Sequence, residues 1–179
     1  PELLTAARQL VGRATCLPDA PVVVPLGRPG VLALTGPRDR TRAMARAIVC
    51  ELAAFHPPDD LRLLAAHPAW RWMAGLPHCR GAGPVGPPHL VAVVDAIDRP
   101  GVDPPPGPDA SAVPGSAVKA ATVDELLERT AAAGGTAIWL AETVAGEPSE
   151  LSVRVRLDEH GRATLQERTP GGRVTGGIR

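Results

Sequence analysis

The sequence predicts an α/β fold, a mainly parallel central sheet flanked by helices, and three observations predict it. The apolar run Val31-Leu-Ala-Leu34 passes through Gly36 into a segment of helical period. A second run, Leu90 to Val94, ends in an acid, Asp95. Segments of strand and helix character then alternate along the chain and close on a hairpin, and strands alternating with helical patterns are the mark of a parallel sheet.

Each element has its own local reason. From Glu2 to Arg13 apolar residues recur at Leu3, Leu4, Ala7, Leu10 and Val11, which predicts a short helix ending at Gly12. Val22 to Val24 and Val31 to Leu34 read as strands separated by the Pro-Gly turn chemistry of residues 27–30. Between Asp39 and His56, Met44, Ile48, Leu52 and Phe55 fall on one helical face, with Arg38, Arg42 and Arg46 opposite. Pro57 and Pro58 stop that helix, and Leu61 to Ala66 is the next strand. Pro68 opens a short turn that carries Trp70, Trp72 and Met73; on a helical turn, residues two apart project apart, so one indole is expected inside and the other outside. After the strand at Leu90 to Val94, residues 99–115 hold six prolines and three glycines and are expected to lack regular structure. Thr122, with Glu125 three residues on, predicts a capped helix to Ala133, ended by Gly134-Gly135. Thr136 to Ala141 is a strand, and Val153 to Leu157 with Ala163 to Glu167 forms a half-exposed antiparallel hairpin whose Arg154 and Arg156 are expected on the outer face.

The stretch from Val31 to Ala43 has the layout of a phosphate-binding loop with its chemistry removed. A working loop needs Gly-x-x-x-x-Gly-Lys-Ser/Thr, so that backbone N–H groups cradle phosphates, the lysine neutralises them and the hydroxyl holds magnesium. Gly36 keeps the first position, while Thr41 replaces the second glycine, Arg42 the lysine and Ala43 the hydroxyl. Asp95 stands where a metal-binding aspartate belongs, but Ala96 follows in place of a water-polarising glutamate. Strand-end acids also cap loops and helices, so Asp95 alone is a weak signal. Together these residues predict a RecA-like or P-loop-NTPase-like fold with a degenerate nucleotide site, formed by Gly36, Thr41, Arg42, Ala43 and Asp95, and no catalytic residue.

Composition narrows the classes further. A chain of 179 residues is one domain by length; residues 1–168 are read as that domain and 169–179 as a glycine-rich tail or linker to a next module. Three cysteines without C-x-x-C spacing argue for a reducing compartment. A formal net charge of zero argues against a nucleic-acid partner, and the sequence has neither a membrane-spanning apolar run nor a signal peptide. The start at Pro1 and the glycine-rich end read as a piece of something longer. His56, His67, His78 and His89 recur every eleven residues beside Cys79, yet they fall at a helix end, two loops and a strand start rather than as the tight pairs zinc requires, so no metal site is expected. No Gly-x-Ser-x-Gly and no cysteine with a facing base suggests a hydrolase.

Phe55-His-Pro-Pro-Asp-Asp-Leu-Arg62, followed by Trp70-Arg-Trp-Met-Ala-Gly-Leu-Pro-His78 and by Pro88 to Asp95, resembles the membrane-proximal cytoplasmic domain of EccC-type proteins, FtsK/SpoIIIE-like ATPases of type VII (ESX) secretion. The resemblance covers about residues 20 to 100 and, more loosely, the hairpin; the chain departs from it in the proline-rich segment after Arg99 and in the helix around Leu126. It implies a catalytically inactive stalk domain on the cytoplasmic side of the plasma membrane, between a membrane anchor and a row of ATPase modules. ATP and magnesium are then expected only in those modules. The implied partners are the sister modules and membrane subunits of a secretion complex, with Arg38, Arg42, Arg46, Trp70, Trp72, Arg154 and Arg156 as candidate docking residues. The alternative is a domain that still binds nucleotide, or hydrolyses it with residues from a partner. Arginine can neutralise phosphate, but Ala43 cannot ligate magnesium.

Overall fold

Strands buried on both faces read as continuous apolar runs, and such runs pair in parallel beneath covering helices. The computed structural model, which describes residues 3–5, 23–26, 30–80, 89–97, 123–168 and 174–178, follows that rule. Its strands are β1 (Gly30–Thr35), β2 (Leu61–Ala65), β3 (His89–Asp95), β4 (Thr136–Ala141), β5 (Val153–Leu157), β6 (Ala163–Arg168) and β7 (Val174–Ile178). They form one seven-stranded sheet in the order β2-β3-β4-β1-β5-β6-β7. The pairs from β2 across to β5 are all parallel, while β6 and β7 run antiparallel. The predicted hairpin is thus joined to the main sheet, because β5 lies parallel to β1. Residues 174–178, within the glycine-rich stretch expected as a tail, pair with β6 as the last strand.

Helix α1 (Arg38–Phe55) covers one face and α2 (Val123–Ala132) the other. The division follows the strand period: Leu32 and Leu34, Val91 and Val93, Ile138 and Leu140 meet Ala45 and Val49 of α1. Their alternates Ala92, Val94, Trp139 and Ala141 meet Leu126 of α2. The face of α1 differs from the expected one. Thr41, Ala45 and Val49 are buried, Met44, Ile48 and Leu52 are half-buried beside them, and Phe55 is exposed. Side chains of modest size thus make the buried stripe, and the larger Met44, Ile48 and Leu52 pack on its flanks.

Among the described residues of the N-terminal part, residues 3–5 are helical, and Val23 to Leu26 form no strand. Val24 and Leu26 instead pack on the core edge, where the Leu26 carbonyl accepts the Thr136 hydroxyl at 2.6 Å. The rest of the expected first helix, the proline-rich stretch 99–115 and the Thr122 cap lie outside the described residues. The tryptophan segment is a 3-10 helix, Pro68–Gly75, started by His67, whose Nδ1 accepts the Ala69 N–H at 3.1 Å. A second short 3-10 turn, Pro77–Cys79, follows.

Candidate functional site

The carboxyl ends of β1, β3 and β4 are level: Thr35 pairs with Ala141 and Asp95 with Leu140. That edge is where ligands bind in open α/β sheets, and Gly36, Arg42 and Asp95 gather there. Gly36 adopts φ +154°, and its N–H donates to the Ala141 carbonyl at 3.1 Å. A Cβ there would stand 2.4 Å from the Leu157 carbonyl oxygen, so this glycine is required by its contact with β5. Pro37 then leads into α1, and Thr41, fully buried, returns its hydroxyl to the Pro37 carbonyl at 3.0 Å. Ala43 is exposed and offers no ligand.

Arg42 turns beneath the helix. Its Nε donates to Asp95 Oδ2 at 2.8 Å and its Nη2 to Oδ1 at 3.2 Å, with the arginine side chain 14% exposed and the aspartate side chain 0%. The exposed stripe expected on α1 is therefore corrected at Arg42: its guanidinium is taken inward by a buried carboxylate of complementary shape. Trp70 Nε1 donates to Asp95 Oδ2 at 3.0 Å, and the Ile97 backbone N–H donates to Oδ1 at 3.3 Å. A carboxylate has about four lone-pair sites, and all are engaged. His67 Nδ1 lies 3.7 Å from Oδ2. The group that the fold would lead one to expect here, a magnesium-bound nucleotide, does not fit these residues. The acid that would carry the metal is saturated, the cation that would meet phosphate is committed to that acid, and residue 43 has no hydroxyl.

A second buried ion pair lies across the same edge. Thr35 Oγ1 donates to Glu147 Oε1 at 2.5 Å, and Arg154 donates from Nε to Oε1 and Oε2 at 2.9 and 2.7 Å and from Nη2 to Oε2. Arg154 Nη1 reaches Gln166 Oε1 at 3.3 Å. The Glu147 side chain is 2% exposed and that of Arg154 21%, so Arg154, expected on the outer face, is turned inward instead. Arg156 is exposed. So is Arg46, while Arg38 is half exposed with its Nε 3.4 Å from Glu142.

The two tryptophans are inequivalent, as the helical turn predicts: Trp70 is 2% exposed and Trp72 39%, with ring centroids 6.1 Å apart at 40°. Among the described residues no group of three or more His, Cys, Asp or Glu could hold a metal ion. His78 is buried, its Nε2 2.8 Å from the His56 carbonyl. Burial pushes the neighbouring Cys79 thiol above its ordinary pKa of 9.0, against the pull of the Arg62 charge. Trp70, His67 and Glu147 were not legible as partners of the site. Each is joined to it by contacts between segments far apart in the chain.

No family model matches the chain. It is 28% identical over 129 residues to the ESX-4 secretion system protein EccC4 of Mycobacterium tuberculosis, covering 55% of this chain and 10% of that protein. It is 35% identical over 78 residues to the ESX secretion system protein EccC of Thermomonospora curvata, covering 41% of this chain and 6% of that protein. The chain spans a tenth or less of the length of these curated relatives. It is thus related, over part of its length, to the EccC proteins of ESX secretion systems.

Proposed function

We propose that this chain is a catalytically silent, ATPase-like domain of an EccC-type type VII secretion protein, holding the parent's membrane anchor and its ATPase modules in register and docking on membrane subunits of the secretion complex. The single observation that carries the silent part is the Arg42–Asp95 pair, in which the two charges a nucleotide site needs are spent on each other. The partial similarity to two EccC proteins supports the secretion part. In this reading the domain takes no cofactor, faces the cytoplasm, and leaves ATP and magnesium to other modules. Docking falls to exposed Arg46, Arg156 and Trp72 and half-exposed Arg38, because Arg42 and Arg154 are held inside by carboxylates.

Calorimetric titration of the chain with Mg-ATP tests the silent part. No heat of binding is expected, and a dissociation constant near or below about 100 µM, roughly 5.5 kcal/mol, would replace this reading with that of a residual nucleotide-binding domain. In the parent protein, charge reversal at Arg46 and Arg156 tests the docking part. It is expected to reduce complex assembly and secretion, with a weaker or inverted salt dependence because attraction to partner carboxylates becomes repulsion that salt relieves, and to leave ATP hydrolysis nearly unchanged. Secretion that survives deletion of the whole domain defeats the proposal.

A further inference from the structure

We propose that Arg42 is the resident occupant of a cation slot at Asp95, a side-chain stand-in for the metal and phosphate of a working site, and that it permanently fastens α1 to the tryptophan-bearing 3-10 helix. The slot is built from four directions. Asp95 ends β3, Arg42 comes from the first turns of α1, Trp70 from the 3-10 helix and the Ile97 N–H from the chain leaving β3. In a nucleotide-binding fold the metal and phosphates are what join the loop and helix after the first strand to this acid, so the joint exists only while ligand is bound. Here a guanidinium makes the same joint from inside the chain, with two parallel N–H donors matched to the two carboxylate oxygens.

The site is therefore occupied rather than merely eroded. Loss of the lysine and the hydroxyl would have left Asp95 facing an open edge, whereas the side chain is 0% exposed and accepts four donors. Trp70 makes the joint mechanical. Its indole N–H shares Oδ2 with Arg42 Nε, so the position of α1 and that of the 3-10 helix are set by one carboxylate, and the exposed Trp72 beside Trp70 is presented from a fixed base. This deepens the silent-site reading above and is independent of the secretion assignment.

The test is chemical rescue in the 179-residue chain. Arg42→Ala should lower Tm by roughly 10 °C, since it strands a buried carboxylate. Millimolar methylguanidinium should then raise the Tm of Arg42→Ala, but not that of the wild type or of Arg42→Ala/Asp95→Asn, and methylammonium should do so less well because it lacks the fork. Arg42→Ala that melts with the wild type, or that stays folded yet gains nothing from methylguanidinium, overturns the proposal. Should Arg42→Ala not fold, Arg42→Lys keeps the charge and loses the fork. Exchange of the Trp70 indole N–H with solvent deuterium should then quicken roughly tenfold over wild type, and unchanged exchange overturns the joint. Wild-type chain stabilised by several degrees by Mg-ATP overturns both the occupant and the silent site. An occupant confirmed by rescue, in a domain that secretion does not need, overturns the secretion reading alone.

Discussion

Gly36 stands at the first position of the phosphate-loop spacing, and the structure gives it a packing reason to be glycine. Its φ of +154° and the 2.4 Å approach of a would-be Cβ to the Leu157 carbonyl make it a packing residue between the end of β1 and β5. Gly36→Ala should cost about 3 kcal/mol in urea unfolding. At Cys79 burial disfavours the thiolate, so the folded-state pKa lies above the unfolded one. Stability from this group is fully present below the ordinary thiol range near pH 9 and is lost as pH rises through the raised folded value. Urea midpoints compared at neutral and strongly alkaline pH should therefore fall for wild type and fall less for Cys79→Ala. Exposed Cys50 supplies the contrast and should alkylate faster than Cys79 at any pH.

At the scale of elements, the buried stripe of α1 is made of the modest side chains Thr41, Ala45 and Val49, which predicts opposite outcomes for two substitutions. Ala45→Leu should destabilise by about 1–3 kcal/mol through overpacking, while Phe55→Ser, at a residue 78% exposed, should stay within about 0.5 kcal/mol. The same helix marks where sequence reading stops. Its existence, its limits to within one residue at each end and its proline stop were legible from period and composition. Which stripe touches the sheet was not, because hydrophobicity ranks Met44 and Phe55 above Thr41 and Ala45 while proximity ranks them the other way. The strands at Thr136–Ala141 and Val153–Leu157 were legible from apolar runs and alternation. Arg154 was misplaced because alternation says only which residues share a face. That its face is occupied by Glu147, drawn down by Thr35 112 residues earlier, is a long-range fact. Within the site, the sequence singled out Arg42 and Asp95 one by one, while their mutual pairing across 53 residues is a long-range fact that neither position announces.

For the whole molecule, the position of β1 has a consequence for the order in which the chain acquires structure. β1 is the fourth strand of the sheet, and its neighbours are β4 and β5, so Gly30 finds its partner Thr136 only after more than a hundred intervening residues have been made. At the usual 5–20 residues per second of synthesis, that is roughly 5–20 seconds during which Leu32 and Leu34, buried in the finished domain, have no sheet to enter. Pairings so distant in sequence are slow to close even in the complete chain. A ribosome-bound chain ending before Thr136 should consequently remain protease-sensitive and bind holdase chaperones, and protection should appear abruptly once β4 and β5 have left the exit tunnel. The centre of the sheet thus closes late in the domain's synthesis, and β1 waits there for both of its neighbours.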